Sequence, residues 1–338
     1  MTPGIKGFAF AVGLLFGVPQ AALGDSADWA KVVAAAKVEG KIVIYNTAIA
    51  APYFDAIVQT FEQRYGIEVE VIALRPSELR EQVRAEQAAG KFLGDVEQLG
   101  RATMIRQEQE GALQPHGGFP NLARLRPEFE ANGARVPGYV QAYGILVNTD
   151  LVAPADRPTG WKDLLDPKWK KKILSDDVRA LGGGQIMFAA TYEAFGREFH
   201  ENLAKQKLIM GRDLHNDARR VVGGEQPIYI PMRFADEANY RDGPVKLVVP
   251  SEGCPYVRID LGVLRNAPHP NAARVFINHF LEAESQLLYA NHGLIPVVQG
   301  VIERTDEEHR VMAGSKLLGT SSPEQQEALI ALANKLYK

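Results

Sequence analysis

The chain has 338 residues, of which 46% are hydrophobic and 23% charged, and it carries a formal net charge of -3 at pH 7. A chain of this length exceeds what one hydrophobic core supports, so the composition predicts a soluble protein of two domains. The small acidic charge argues against broad binding to nucleic acid or anionic membranes, which requires a basic excess.

The first 24 residues show the pattern of a secretory signal peptide. Lys6 supplies a positive charge, residues 8–18 form an apolar stretch too short to span a bilayer, and Ala22 and Gly24 are small residues at the cleavage positions. We expect cleavage after Gly24 and a mature protein in the periplasm, without a lipid anchor because no cysteine lies at the site. The alternative is a buried N-terminal helix.

The next hundred residues alternate between helical and strand patterns. The predicted elements are, in order, helix 29–38, strand 41–45, helix 52–65, strand 68–74, helix 77–89 and strand 94–99. Strands and helices that alternate in this way are typical of a largely parallel sheet covered by helices.

Three loops at the carboxyl ends of these strands are candidate ligand contacts. They carry Asn46 and Thr47, Arg75 and Ser77, and Arg101. Each loop leads into a helix, whose first amides are unpaired and favour an anion, and arginine offers a flat fork of donors to a carboxylate or phosphate. Alternatively, Thr47 and Ser77 only cap helices and the arginines are solvated.

A strand over 139–147, which contains Tyr143, is interpreted as a crossover into a second lobe, and residues 255–264 as the return. We predict lobe one from 25–138 and 260–338, and lobe two, with the crossover strands, from 139–259. The lobe-two loops add further candidates, which include a glycine run before a helix. They are Arg179, Gly183, Gln185, Asp217 and Arg233.

Three segments resemble the ferric-iron-binding branch of periplasmic solute-binding proteins. They read WKDLLDPKWK at 161–170, APHPNAA at 267–273 and GLIPV at 293–297. The resemblance implies the α/β, two-lobed type II periplasmic binding protein fold, in which two crossover strands form the hinge. It also implies delivery of a solute to an ABC transporter permease.

The iron binders of this family use an adjacent pair of tyrosines that falls near the loop after the strand 227–232. This sequence has Arg233 and Phe234 there, and it contains no adjacent tyrosines. Arginine has no lone pair to give a metal, so the departure argues against direct Fe(III) binding. Tyr229 and Tyr240 remain candidate ligands for that alternative.

Charge suggests what takes the place of iron. Arg75, Arg101, Arg179 and Arg233 would converge on the cleft, and such a group requires an anion. Asp217 and Asp236 could offset part of this charge. We therefore predict an organic anion, first a di- or polycarboxylate and second a phosphate or phosphonate, with Tyr143 able to stack on it or simply to pack.

Other classes of function have less support. The motifs G-x-S-x-G and H-E-x-x-H and spaced Cys/His metal sites do not occur, so we predict no enzyme, cofactor or resident metal. Cys254, the single cysteine, is predicted to be buried and structural. A ligand-sensing partner of a membrane receptor would use the same fold and cleft, so this alternative stays open. A monomer suits a protein that shuttles solute.

Overall fold

The computed structural model describes residues 26–47, 51–319 and 323–338, so the predicted signal peptide lies outside the described residues. Within these ranges, no helix is long and apolar enough to cross a membrane. The α-helices are α1 Ser26–Glu39, α2 Pro52–Tyr65, α3 Pro76–Ala88, α4 Arg101–Gln109, α5 Gly183–Lys205, α6 Leu214–Val222, α7 Pro270–Phe280, α8 Ala283–Ala290, α9 Glu307–Ala313 and α10 Pro323–Leu336. The strands are β1 Lys41–Asn46, β2 Glu68–Ala73, β3 Val96–Gly100, β4 Leu113–Gln114, β5 Arg135–Asn148, β6 Ile173–Asp176, β7 Ile209–Gly211, β8 Ile228–Arg233, β9 Val245–Val248, β10 Cys254–Leu264, β11 Ile295–Pro296 and β12 Leu317–Gly319.

The first part of the chain has the predicted alternation of strand and helix. β1 pairs in parallel with β2 on one side and with β3 on the other. Helix α2 buries Phe54, Ile57 and Phe61, which share one helical face because they recur at spacings of three and four. The helix ends at Gly66, whose φ of 65° lies in the left-handed region that glycine adopts without strain.

Two long strands connect the halves of the molecule. The main order of the sheet is β2-β1-β3-β10-β5-β8-β6-β7. β10 runs antiparallel between β3 and β5, where Val263 pairs with Val96 and Tyr256 with Ala142. Beyond Ala142, β5 pairs with β8 and β9 instead. β5 and β10 therefore cross between the halves, at the positions where the sequence predicted crossover strands.

The buried apolar side chains form separate clusters in the two halves. One cluster surrounds Phe54, Phe276 and Phe280, next to the first strands. Another surrounds Trp161 and Phe188, next to the strands that follow the crossover. A space between these two cores is where a two-lobed protein would hold a ligand.

The end of the chain packs against the second half. Ala333 and Tyr337 are buried in the cluster of Trp161 and Phe188, and helix α10 lies along α5. The prediction from the sequence assigned all of residues 260–338 to lobe one. Helical periodicity shows which face of a helix is apolar, but it does not show which surface covers that face. In the structure, the apolar face of α10 is covered by elements from 139–259.

Candidate functional site

A cavity of about 1230 Å³ lies between the two halves. Its walls include the first residues of α2, α3 and α4, the middle of β5 and β10, and the loop after β8. Each of the three predicted strand-end loops contributes to this wall, through Thr47, Pro76 and the stretch 100–103. The cavity therefore lies beyond the carboxyl ends of β1, β2 and β3, where open α/β sheets bind ligands.

The first turn of α4 gives the cavity an unpaired donor surface. Gly100 precedes the helix without a side-chain cap, and Ala102 and Thr103 follow on the same wall. Arg101 lines the cavity, is exposed, and forms no ion pair within the described residues. Partial burial, and next the positive charge of Arg258, lower the pKa of the Arg101 guanidinium. The charge of a bound anion would offset this lowering, because an opposite charge favours the protonated guanidinium.

Arg258 is a second cation on this wall, and it is held by a buried carboxylate. Its Nε and Nη2 donate to the two oxygens of Asp260 at 2.6 and 2.8 Å. Arg135 donates to the same carboxylate through Nη1 at 3.2 Å and pairs with Glu108 on its other side. Arg258 is only 6% exposed and Asp260 is fully buried. The network fixes the guanidinium against the cavity and leaves Nη1 of Arg258 without a partner among the described residues.

Arg233, at the end of β8, also lines the cavity. Its Nε donates to Asp236 at 2.5 Å, so one carboxylate offsets its charge. Tyr53 at the start of α2 faces the same region, where burial raises the pKa of its phenol and the charge of Arg233 acts in the other direction. Tyr53 packs edge-on against Tyr289 with ring centroids 4.8 Å apart, and against His292 at 5.3 Å. These rings give the cavity an aromatic side.

A model of the family described as bacterial extracellular solute-binding protein matches residues 97–316. The chain belongs to this family. It is therefore the solute-binding component of an ABC transporter and not an enzyme, as the sequence predicted. The family is an extracellular one, which agrees with the predicted location outside the cytoplasm.

The chain is also similar to individual proteins. An uncharacterized protein of Haemophilus influenzae is 24% identical over 278 residues, which cover 76% of this chain and 78% of the relative. The structure of the Trichodesmium protein IdiA (FutA), in complex with iron and citrate, aligns with a TM-score of 0.72 at 19% identity and covers 88% of this chain and 100% of that one. AfuA of Actinobacillus pleuropneumoniae, with fructose-6-phosphate bound, aligns with a TM-score of 0.66 at 20% identity and covers 88% and 98%. These likenesses confirm the predicted type II periplasmic binding protein fold.

Several of the predicted ligand contacts of this solute-binding protein lie beside the cavity rather than on its wall. Asn46 is buried as the last residue of β1, and Arg75 and Ser77 are exposed on either side of the lining residue Pro76. Tyr143 is buried one layer behind, where its hydroxyl accepts a hydrogen bond of 2.9 Å from the lining residue Gln141.

Arg179 lies outside the cavity. Its Nε donates to Asp177 at 2.8 Å, and its Nη1 donates to the carbonyl of Tyr337 at 3.3 Å. Two of the four predicted arginines, Arg101 and Arg233, therefore line the wall, and Arg258 joins them from β10. The predicted convergence of four arginines on the cleft is not seen in the structure, because Arg179 pairs with Asp177 outside the cavity and Arg75 is exposed beside its wall.

The glycine run before α5 contacts another part of the chain instead of the cavity. The amide of Gly184 donates to Oδ2 of Asp176 at 2.7 Å, and Gly183 packs against the ring of Tyr143. Burial raises the pKa of Asp176. Gln185 is buried at the start of the helix, so the amides predicted to bind an anion face a carboxylate instead.

Asp217 is a buried residue of α6. One of its oxygens accepts from Arg220 at 3.3 Å, and the other lies against the backbone of Gly211 without a partner among the described residues. The cap of α6 is Asp213, whose side chain accepts a hydrogen bond from the amide of Asn216. Asp217 does not line the cavity, whereas His215 on the same helix does.

Residues from several elements line the cavity but were not predicted from the sequence. They are Tyr53, Tyr139, Gln141, His215, Tyr256, Arg258, His292 and Gln326. The alternation along β10 could have indicated Arg258, which lies on the opposite face from Val257 and Ile259. Gln326 could not have been found, because it depends on where α10 packs.

Neither tyrosine proposed for iron lines the cavity. Tyr229 is buried and its hydroxyl lacks a partner among the described residues, and Tyr240 contacts His215 at 3.2 Å. Within the part of the chain that the structure describes, no three His, Cys, Asp or Glu side chains form a group that could hold a metal ion.

Proposed function

We propose that this solute-binding protein captures an organic anion in the cavity between its halves and delivers it to an ABC permease from the periplasm. The observation that supports this proposal is the excess of guanidinium groups. Arg101, Arg233 and Arg258 line one cavity, and among the described residues only Asp236 and Asp260 form ion pairs with them. Positive charge in a partly desolvated cleft favours an anionic ligand.

The form of the donors supports a carboxylate or a phosphate. Arg233 uses Nε in its ion pair, and its two terminal nitrogens have no hydrogen-bond partner in the described part of the chain, so they can form a fork to a ligand. Arg101 and the first amides of α4 provide a second group of donors on the cavity wall. A di- or polycarboxylate, whose charges lie at separate ends, suits this arrangement first, and a phosphate or phosphonate second.

Two of the related structures support this class, since one complex contains citrate and another contains fructose-6-phosphate. The same Trichodesmium complex contains iron, so Fe(III) binding is the second candidate. Tyr53, Tyr139 and Tyr256 line the cavity and phenolate oxygens suit Fe(III). Burial raises the pKa of Tyr53 and Tyr139, which disfavours the phenolate that iron requires.

We propose that residues 25–138 and 260–316 form lobe one and that residues 139–259 form lobe two, with α10 attached to lobe two. Closure of the lobes would bring Arg101 and Arg233 together around the anion. A sensing role with a membrane receptor would use the same closure, and binding of the loaded protein to its permease distinguishes transport.

Thermal unfolding of the mature protein tests the proposal. The additions are citrate, succinate, inorganic phosphate, fructose 6-phosphate, and Fe(III) with and without citrate. A solute at a hundred times its Kd stabilises the protein by about 2.7 kcal/mol. We expect a carboxylate or phosphate to raise the Tm, and Arg233→Ala and Arg258→Met to remove the rise.

The matched control is Arg179→Ala. This arginine also pairs with a nearby aspartate but lies outside the cavity, so its loss leaves the ligand-induced rise intact. A rise with Fe(III) alone would favour the iron candidate, and no rise with any addition would overturn the anion proposal.

A further inference from the structure

The C-terminal helix α10 is attached to the second half of the molecule by its own apolar face. Ala333 and Tyr337 are buried against the cluster of Trp161 and Phe188, and Leu329, Leu332 and Leu336 pack around them. These positions recur at helical spacings of three and four, so they form one face. The helix lies along α5, which begins beside the cavity and continues away from it.

Polar contacts hold the end of α10 in place. The hydroxyl of Tyr337 lies 2.7 Å from Nδ1 of His200, whose Nε2 lies 3.1 Å from the hydroxyl of Thr191. Burial lowers the pKa of His200 to about 3, so the imidazole is neutral at physiological pH. Nη1 of Arg179 donates to the carbonyl of Tyr337. The C-terminal end of α10 therefore moves with α5.

The other end of the helix reaches the first half. α10 approaches α4, whose first turn forms the donor wall of the cavity. Gln326, in the first turns of α10, lines the same cavity as Arg101 and Thr103. Gln326 is half-buried, whereas its neighbour Gln325 is exposed. The carboxamide of Gln326 forms no hydrogen bond within the described residues.

We propose that α10 is a wall of the solute site that is attached to one half and closes against α4 of the other, and that Gln326 hydrogen-bonds the bound solute and selects for it. The inference rests on the proposed function only in taking this cavity as the solute site. A glutamine side chain both donates and accepts hydrogen bonds, so Gln326 can bind a hydroxyl or an oxyanion of the solute that the arginines do not contact. Opening of the lobes would separate Gln326 from α4 and expose the solute.

Binding measured by isothermal titration calorimetry tests the role of Gln326. The probes are citrate, fructose 6-phosphate and inorganic phosphate, and the tightest of these is used for the variants. Gln326→Ala should raise Kd about tenfold, the loss of one hydrogen bond, and Gln326→Glu should raise it further because a carboxylate would face the anion. The matched control Gln325→Ala, one residue along the helix and exposed, should change Kd by less than about twofold.

Cross-linking tests the position of the helix without a solute. Cysteines replace Gln326 and Thr103, and a short bis-maleimide is added under native conditions. The native Cys254 is fully buried and burial raises the pKa of its thiol to about 12, so it does not compete. We expect a cross-link in this variant, and none when the first cysteine replaces Ala328, which is exposed.

The two measurements separate the possible failures. A missing cross-link between positions 326 and 103 would overturn the closing wall, whatever the protein binds. A cross-link with an unchanged Kd in Gln326→Ala would overturn the contact to the solute. If none of the three probes binds the unmodified protein, the anion proposal and the contact to those anions fail, while the cross-link still decides where α10 closes.

Discussion

Replacing Asp260 by asparagine tests whether the buried charge network behind the cavity stabilises the protein. Asp260 is fully buried and accepts two hydrogen bonds from Arg258 and one from Arg135. The substitution keeps the shape of the side chain but removes the charge that both arginines share. Loss of one member of a buried ion pair costs about 3–5 kcal/mol, because the remaining charge is buried without compensation.

The free energy of unfolding is measured by urea titration of Asp260→Asn and of the unchanged protein, with fluorescence and circular dichroism followed together to check for a single transition. The control is Asp156→Asn, which removes a carboxylate paired with Lys168 at the surface, where its side chain is 62% exposed. Exposed pairs contribute about 0–1 kcal/mol. A loss below about 1 kcal/mol in Asp260→Asn would refute the reasoning that this carboxylate balances two desolvated arginines.

Three further substitutions probe other features. Trp161→Phe removes the indole donor that bonds the carbonyl of Gly253 at 2.9 Å, so the free energy of unfolding should fall by about 1–3 kcal/mol in urea titrations. Burial raises the pKa of Glu97 to about 8, above its unfolded value, so the unchanged protein should lose stability as pH rises through roughly 4.5 to 8, whereas Glu97→Gln should not lose it. Gly293→Ala should destabilise by more than about 1 kcal/mol, because φ is 73° and the new Cβ would lie 2.8 Å from the backbone of the helical turn after β8. Gly300→Ala has a similar φ but open space, so it should cost less.

Controls make these outcomes decisive. Trp29→Phe makes the same substitution at a partly exposed position and should cost less than Trp161→Phe, although Trp29 packs against the core. Parallel pH dependences for Glu97→Gln and the unchanged protein would contradict a protonated Glu97. Equal losses in the two glycine variants would show that the dihedral angle, rather than the close approach, determines the cost at Gly293.

The fold followed from local signals where the sequence repeats a short pattern. The alternation of β1, β2 and β3 with their helices is visible because each element carries its own apolar period. The placement of β10 between β3 and β5 was not visible in the sequence. Val263 and Val96 pair although they are far apart in the chain, and the alternation of apolar residues along a strand does not show which strand it pairs with. The packing of α10 on α5 was missed for the same reason.

The location of the site could be predicted from the sequence, but fewer of its lining residues could. Strand ends in a parallel sheet meet at one edge, so Thr47 and Arg101 were found by topology alone. Arg179 was assigned wrongly because the sequence does not show that it pairs with Asp177 and the carbonyl of Tyr337 instead of facing the cleft. Arg258 was missed because the alternation along β10 puts it on the polar face of the strand but does not show which elements that face meets.

The order of strands in the sheet has a consequence for how the chain folds. β10 is a central strand of the first half, yet it is made only after β5, β6, β7, β8 and β9. The first half therefore cannot complete its sheet until a long loop closes, which is entropically slow when the loop is unstructured. Pairing of β5 with β8 and β9 shortens that loop beforehand. We expect the second half to acquire protection from hydrogen exchange first and to act as the nucleus on which the first half condenses.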